Sequence, residues 1–127
     1  MSTRTSWVVE RSITDLQHLM VSAERSAAEI TDAYLARIAS LDTDLRSVVE
    51  TNPDARAIAA ALDDERRSGT SRGPLHGIPI LLKENIDTAD DMLTPAGSLA
   101  LVGTMPSADS TAATRLRAAG AVLLGKT

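Results

Sequence analysis

Cysteine and phenylalanine are both absent from these 127 residues, and Trp7 and Tyr34 are the only aromatic side chains. Without cysteine there is no disulfide and no thiolate metal site, and His18 and His76 alone are too few ligands for zinc. The sequence therefore predicts no metal and no cofactor. Without aromatics the core has to be built from Leu, Ile, Val and many Ala, which bury less area per side chain and supply an independent domain thinly. Basic charge is also scarce. Thirteen Lys and Arg stand against 17 Asp and Glu, a net charge of −4, interspersed so that no basic stripe forms to bind nucleic acid. No apolar run approaches the ~20 residues that span a bilayer, which argues against membrane attachment. The opening Met1 to Glu10 lacks the sustained apolar stretch of a secretory signal, so a cytoplasmic address is expected.

What is present describes a soluble globular chain of one-domain length, 43% apolar, with no repeat and no low-complexity block. Ser12 is placed to cap a helix that carries Ile13, Leu16, Leu19 and Met20 on one face. Ser26 with Glu29 forms a capping-box pattern before Ile30, Ala33, Tyr34, Ile38 and Leu41. A short strand is expected at Ser47 to Glu50, then a helix capped by Asn52, with Pro53 at its first position, running to about Arg67. Residues 68–73 read as a polar, exposed linker. A strand from Ile78 to Lys83 leads into a loop from Asn85 to Gly97, long enough for a binding loop, and a helix from Ser98. Asp109 is expected to cap a last helix that Gly120 closes, before a strand at Ala121 to Leu124. This order of helix, strand, loop, helix and strand is an α/β rhythm, with residues 1–72 mainly helical and 73–127 carrying the strands.

The strand ending at Lys83 carries the chemistry. Alternation places Ile78, Ile80 and Leu82 on one face and Pro79, Leu81 and Lys83 on the other, so both faces are apolar until the lysine. Such a strand belongs inside a covered sheet, and α/β folds place ligands at the carboxyl ends of their strands. A lysine with an ordinary pKa near ~10.4 is uncharged in only about one molecule in a few thousand at pH 7, so a lysine base needs a desolvating wall around it. Asn85, Thr94, Gly97 and Ser98 are the loop residues available to line a pocket. Turn chemistry competes for each: Asn and Thr bond local backbone, Gly97 supplies backbone freedom, and Ser98 is suited to an N-cap.

Other residues read as structural. Gly120 to Thr127 satisfies the letters of the phosphate-binding pattern G-x-x-x-x-G-K-T. That cradle needs a loop between a strand and a following helix, whereas here a helix precedes Gly120 and Ala121 to Leu124 is strand-like. Gly125 is then a strand-end turn and Lys126 a surface or loop cation. His76 has no partner acid or thiol and reads as local structure, Met92 and Met105 as packing, and no serine lies in a nucleophile elbow.

Gly73-Pro74-Leu75-His76-Gly77-Ile78-Pro79 through Leu82-Lys83-Glu84-Asn85-Ile86-Asp87-Thr88 resembles the opening signature of the amidase signature family of serine hydrolases. Pro95 to Leu101, Asp109-Ser110-Thr111 and Arg115 to Thr127 follow in the family's order. Upstream, Ala33 to Ile38 and Leu45 to Ala55 are also similar to it. The wording at Asn52-Pro53-Asp54-Ala55 and Ala96 to Leu101 is most similar to peptide amidases and related broad-substrate amidases, and less to the tRNA-dependent amidotransferase A subunit. The resemblance implies an α/β fold with helices packed around a mixed sheet. It also implies hydrolysis of a small-molecule or peptide amide through an acyl-enzyme, by a Ser, cis-Ser, Lys triad with Lys83 as the lysine. The two serines belong to a downstream glycine-rich segment, so the chain is expected to be the N-terminal piece of one amidase domain, with an incomplete sheet, and to be inactive alone. Glu84 stands where the family often has Asp, and Pro95 follows Thr94 where Thr or Ser is commoner. These departures touch substrate contacts more than the chemistry. The rival expectations are an amidotransferase A-subunit-like fragment, or a non-catalytic remnant that self-associates through exposed strand edges, above all that of a final strand without sheet neighbours.

Overall fold

The computed structural model describes residues 5–127. A 3-10 turn at Ser6–Val8 precedes helices α1 (Ile13–Val21) and α2 (Ala27–Leu45). Strand β1 (Glu50–Thr51), helix α3 (Ala55–Arg67) and strand β2 (Pro79–Leu82) follow. A 3-10 turn at Leu99–Leu101, helix α4 (Thr111–Ala118) and strand β3 (Val122–Lys126) complete the fold. The first two helices begin where local chemistry starts them. Ser12 with Asp15 and Ser26 with Glu29 each form a complete capping box, satisfying helix N–H groups that have no partner within the helix.

The strand order is β1-β3-β2, with β3 antiparallel to β1 and parallel to β2. Helices cover both faces, which explains why every residue of β3 is buried. On one face Leu16, Met20, Ala27, Ile30, Ala55, Ala59 and Leu62 pack against Ile78, Val122 and Leu124. On the other, Leu82 and Leu123 pack against Met92 and Ala113 of α4. The chain is thus mixed α/β, an aliphatic core split by a three-stranded sheet.

Several expectations are corrected. The final strand is the centre of the sheet, so the open edges belong to β1 and β2. It continues past Leu124 because β1 and the adjoining Asn52, 71 residues before Leu123, fold back onto it. Ile78, Ile80 and Leu82 do not share a face, because the register between β2 and β3 shifts after Ile80; Ile78 joins the first core and Leu82 the second. Asn52 does more than start a helix. Its Oδ1 accepts from Asp54 N–H at 2.9 Å in the turn that leads into α3, the local bond expected of it. Its N–H and Nδ2 donate to Leu124 O and Leu123 O, both at 2.8 Å, so the same residue also extends the sheet, and α3 starts after Asp54. Ser110, not Asp109, caps α4, since the Asp109 carboxylate is taken by Ala89 N–H (2.7 Å) and Arg117 Nε (2.9 Å). Ser98 makes no side-chain cap and only a 3-10 turn follows, with Leu99 92% exposed and nothing for a longer helix to bury against. Met105 is exposed, on a loop away from both cores.

Gly125 is no turn but a residue inside β3. A Cβ there would lie 2.4 Å from Glu50 O and 3.2 Å from Leu81 Cδ2, so the strands on both sides approach the bare backbone. Gly120 to Thr127 is therefore a helix end and a central strand, as the rejection of a phosphate loop requires.

Candidate active site

Lys83 directly follows β2, at the carboxyl end of a strand that runs parallel to its neighbour. Its backbone is held by an extension of the ladder: Thr127 N–H donates to Leu82 O at 2.8 Å and Glu84 N–H donates to Thr127 O at 2.9 Å. Leu82 is in register with Lys126, so those two side chains share a face and Lys83 leaves the opposite one. The Lys83 side chain is exposed. Lys83, Glu84 and Asn85 on one side and Ala96 and Gly97 on the other line an open depression of about 280 Å³. Its two sides are tied where Gly97 N–H donates to Glu84 Oε1 at 2.6 Å, a bond that uses the acidic residue next to the lysine. Gly97 has φ +71°, the left-handed backbone anticipated for it.

Of the sequence-predicted site residues, Lys83, Asn85 and Gly97 meet at this depression. Thr94 does not reach it: the residue is buried, and its hydroxyl accepts from Lys126 Nζ at 3.1 Å. Ser98 is half-buried, with its N–H bonded to Pro95 O at 2.8 Å.

The residue that sequence reasoning misplaced is Lys126. It is fully buried, the largest such side chain among the described residues, and its Nζ also donates to Ile86 O at 2.8 Å and Leu93 O at 3.4 Å. Burial lowers its pKa below the ordinary 10.5, while the carboxylates of Asp90, Glu50, Asp87 and Glu84 act in the opposite direction. The signal was an apolar strand ending in a lysine, the same signal that marked Lys83. What separates the two is the loop 86–94, which covers one and not the other.

The shift has a measurable consequence. A lysine whose pKa is lowered by folding burdens the native state while charged, because the unfolded chain binds its proton more tightly. The burden is relieved as pH rises through the lowered pKa towards 10.5. Urea unfolding of the parent and Lys126→Met at pH 7, 9 and 10.5 will show the parent gaining stability relative to the variant. A difference that is flat or falling contradicts the assignment.

His76 is structural. It is fully buried, with Nε2 2.8 Å from Leu62 O and Nδ1 accepting from Arg72 N–H at 3.2 Å. Contrary to the expectation that no acid accompanies it, the Glu65 carboxylate lies 4.0 Å from Nδ1, because α3 packs beside the turn that carries the ring. Among the described residues no helix is long and apolar enough to cross a membrane.

Comparison with known proteins supplies the family. Its amidase model matches residues 29–127. Peptide amidase from Stenotrophomonas maltophilia has 54% sequence identity and a TM-score of 0.89 over 94% of this chain and 25% of that one. An amidase family protein from Bacillus anthracis has 36% identity and a TM-score of 0.90 over 97% of this chain and 25% of that one. A glutamyl-tRNA(Gln) amidotransferase subunit of Chloroflexus aurantiacus is 45% identical over 123 residues, 90% of this chain and 25% of that protein. A relative from Arthroderma benhamiae is 52% identical over 97 residues, 76% of this chain and only 16% of its own length. The chain thus spans a quarter or less of these relatives. With the lysine strand, the helix-covered sheet and the family model in agreement over most of its length, the chain belongs to the amidase family.

Proposed function

We propose that residues 1–127 are the lysine-bearing part of a carboxamide hydrolase, and that Lys83 is its catalytic base. The observation that carries this reading is the placement of Lys83 at the carboxyl end of a parallel strand, exposed beside an open depression, within the segment that matches the amidase family. In the reaction, neutral Lys83 takes a proton from a bridging serine, which takes one from the nucleophilic serine as its oxygen attacks the amide carbonyl. The C–N bond breaks, the proton returns to the leaving ammonia or amine, and water hydrolyses the acyl-enzyme to the carboxylic acid. Both serines and the wall that desolvates the lysine have to come from outside these residues. The 54% identity to a peptide amidase, against 45% to an amidotransferase component, favours a peptide or small-molecule amide as substrate.

The reading is tested with a hybrid in which residues 1–127 replace the matched quarter of the Stenotrophomonas maltophilia peptide amidase. Release of ammonia from C-terminally amidated peptides is the expected result. A hybrid that folds with the native circular dichroism spectrum and releases none overturns the proposal.

A further inference from the structure

We infer that Lys126 is a positioning residue, holding the loop 86–97 in the shape that forms one side of the depression beside Lys83. This rests on the reading of Lys83 as the base. Lys126 and Glu50 are register partners across β3 and β1, so their side chains leave the same face. They grip the two polar backbone groups of a single loop residue: Leu93 N–H donates to Glu50 Oε1 at 2.6 Å, and Leu93 O accepts from Lys126 Nζ. The other two protons of the ammonium go to Ile86 O and Thr94 Oγ1. One buried cation thus bonds both ends of a nine-residue stretch of loop that has no helix or strand of its own.

The loop then carries this placement to the site. Three residues beyond Thr94, Gly97 closes onto Glu84, the neighbour of Lys83. A buried ammonium is a poor device for stability alone, since apolar replacements of buried charges are often neutral or stabilising. What it supplies is a fixed arrangement of three acceptors from two loop segments, with donors that an apolar side chain lacks.

Amide hydrogen exchange on the 127-residue chain tests the holding. Lys126→Met is expected to accelerate exchange at Leu93 and Gly97 at least tenfold, leaving Val122 in the sheet and Ile58 in α3 as slow as in the parent. Thr94→Val is expected to reproduce part of the effect and Thr94→Ser, which keeps the acceptor, none. In the hybrid enzyme, Lys126→Met is expected to raise KM at least tenfold while the pH profile of kcat keeps its shape. Unaltered exchange at Leu93 and Gly97 overturns the inference, as does acceleration spread equally over the sheet. So does unchanged KM in a variant whose loop exchanges faster. A parent hybrid without turnover removes the hydrolase reading, and exchange alone then decides whether Lys126 holds the loop.

Discussion

Lys83→Ala in the hybrid enzyme is expected to lower kcat by about 10²–10⁴-fold, the usual contribution of a positioned acid or base, while the variant melts with the parent. Loss of fold does not explain such a defect. Within these residues the Lys83 side chain packs in neither core, so its removal opens no cavity in them, and the melting temperature of the variant hybrid checks this directly. Lys83→Arg separates a base from a mere cation. Arginine keeps the charge and cannot be deprotonated at accessible pH, so a base is lost as completely as in the alanine variant, whereas an electrostatic role is largely retained. Ammonia release by both variants at the parent's rate would dismiss Lys83 as the base.

Gly125→Ala is expected to cost about 2–3 kcal/mol, near the upper range for overpacking, and to lower the melting temperature by roughly 6–10 °C. The added Cβ meets Glu50 O at 2.4 Å and Thr51 Cα at 3.2 Å, both backbone atoms of β1 that cannot rotate aside. Relief requires β1 to move off β3. The amides of Val49 and Asn52, which donate to Lys126 O and Leu124 O at 2.8 Å, should therefore exchange faster in the variant. Gly69→Ala is the useful contrast: φ is +88° with nothing within 4 Å of the new Cβ, so its cost is conformational and local, of the order of 1 kcal/mol. If Gly125→Ala melts with the parent, the strands are not as closely packed as described.

These two sites also mark how far the sequence could be read. Lys83 was legible because an apolar strand, a terminal cation and a following loop are neighbours along the chain. Gly125 was not, because the need for a bare Cα arises from Glu50, which is far away in sequence and adjacent only once β1 folds back. The same distinction separates the helix starts. Ser12 and Ser26 cap as expected because a capping box closes within three residues. Asp109 has the right side chain for a cap, yet its carboxylate is taken by Ala89 and Arg117 across the loop, and Ser110 caps α4 instead. Where a distant partner competes for the same atoms, the local rule loses.

By itself the sequence determined the aliphatic core, the α/β order, the first two helices and the lysine strand, since each rests on spacing, composition or a bond between near neighbours. Tertiary structure alone decided which of two strand-end lysines is buried. Lys126 meets Thr94 across 32 residues and Ile86 across 40, and no local pattern records that the loop between them closes over one cation and leaves Lys83 open. Burial belongs to the packed assembly of segments, and the two lysines differ in that and not in the strands that carry them.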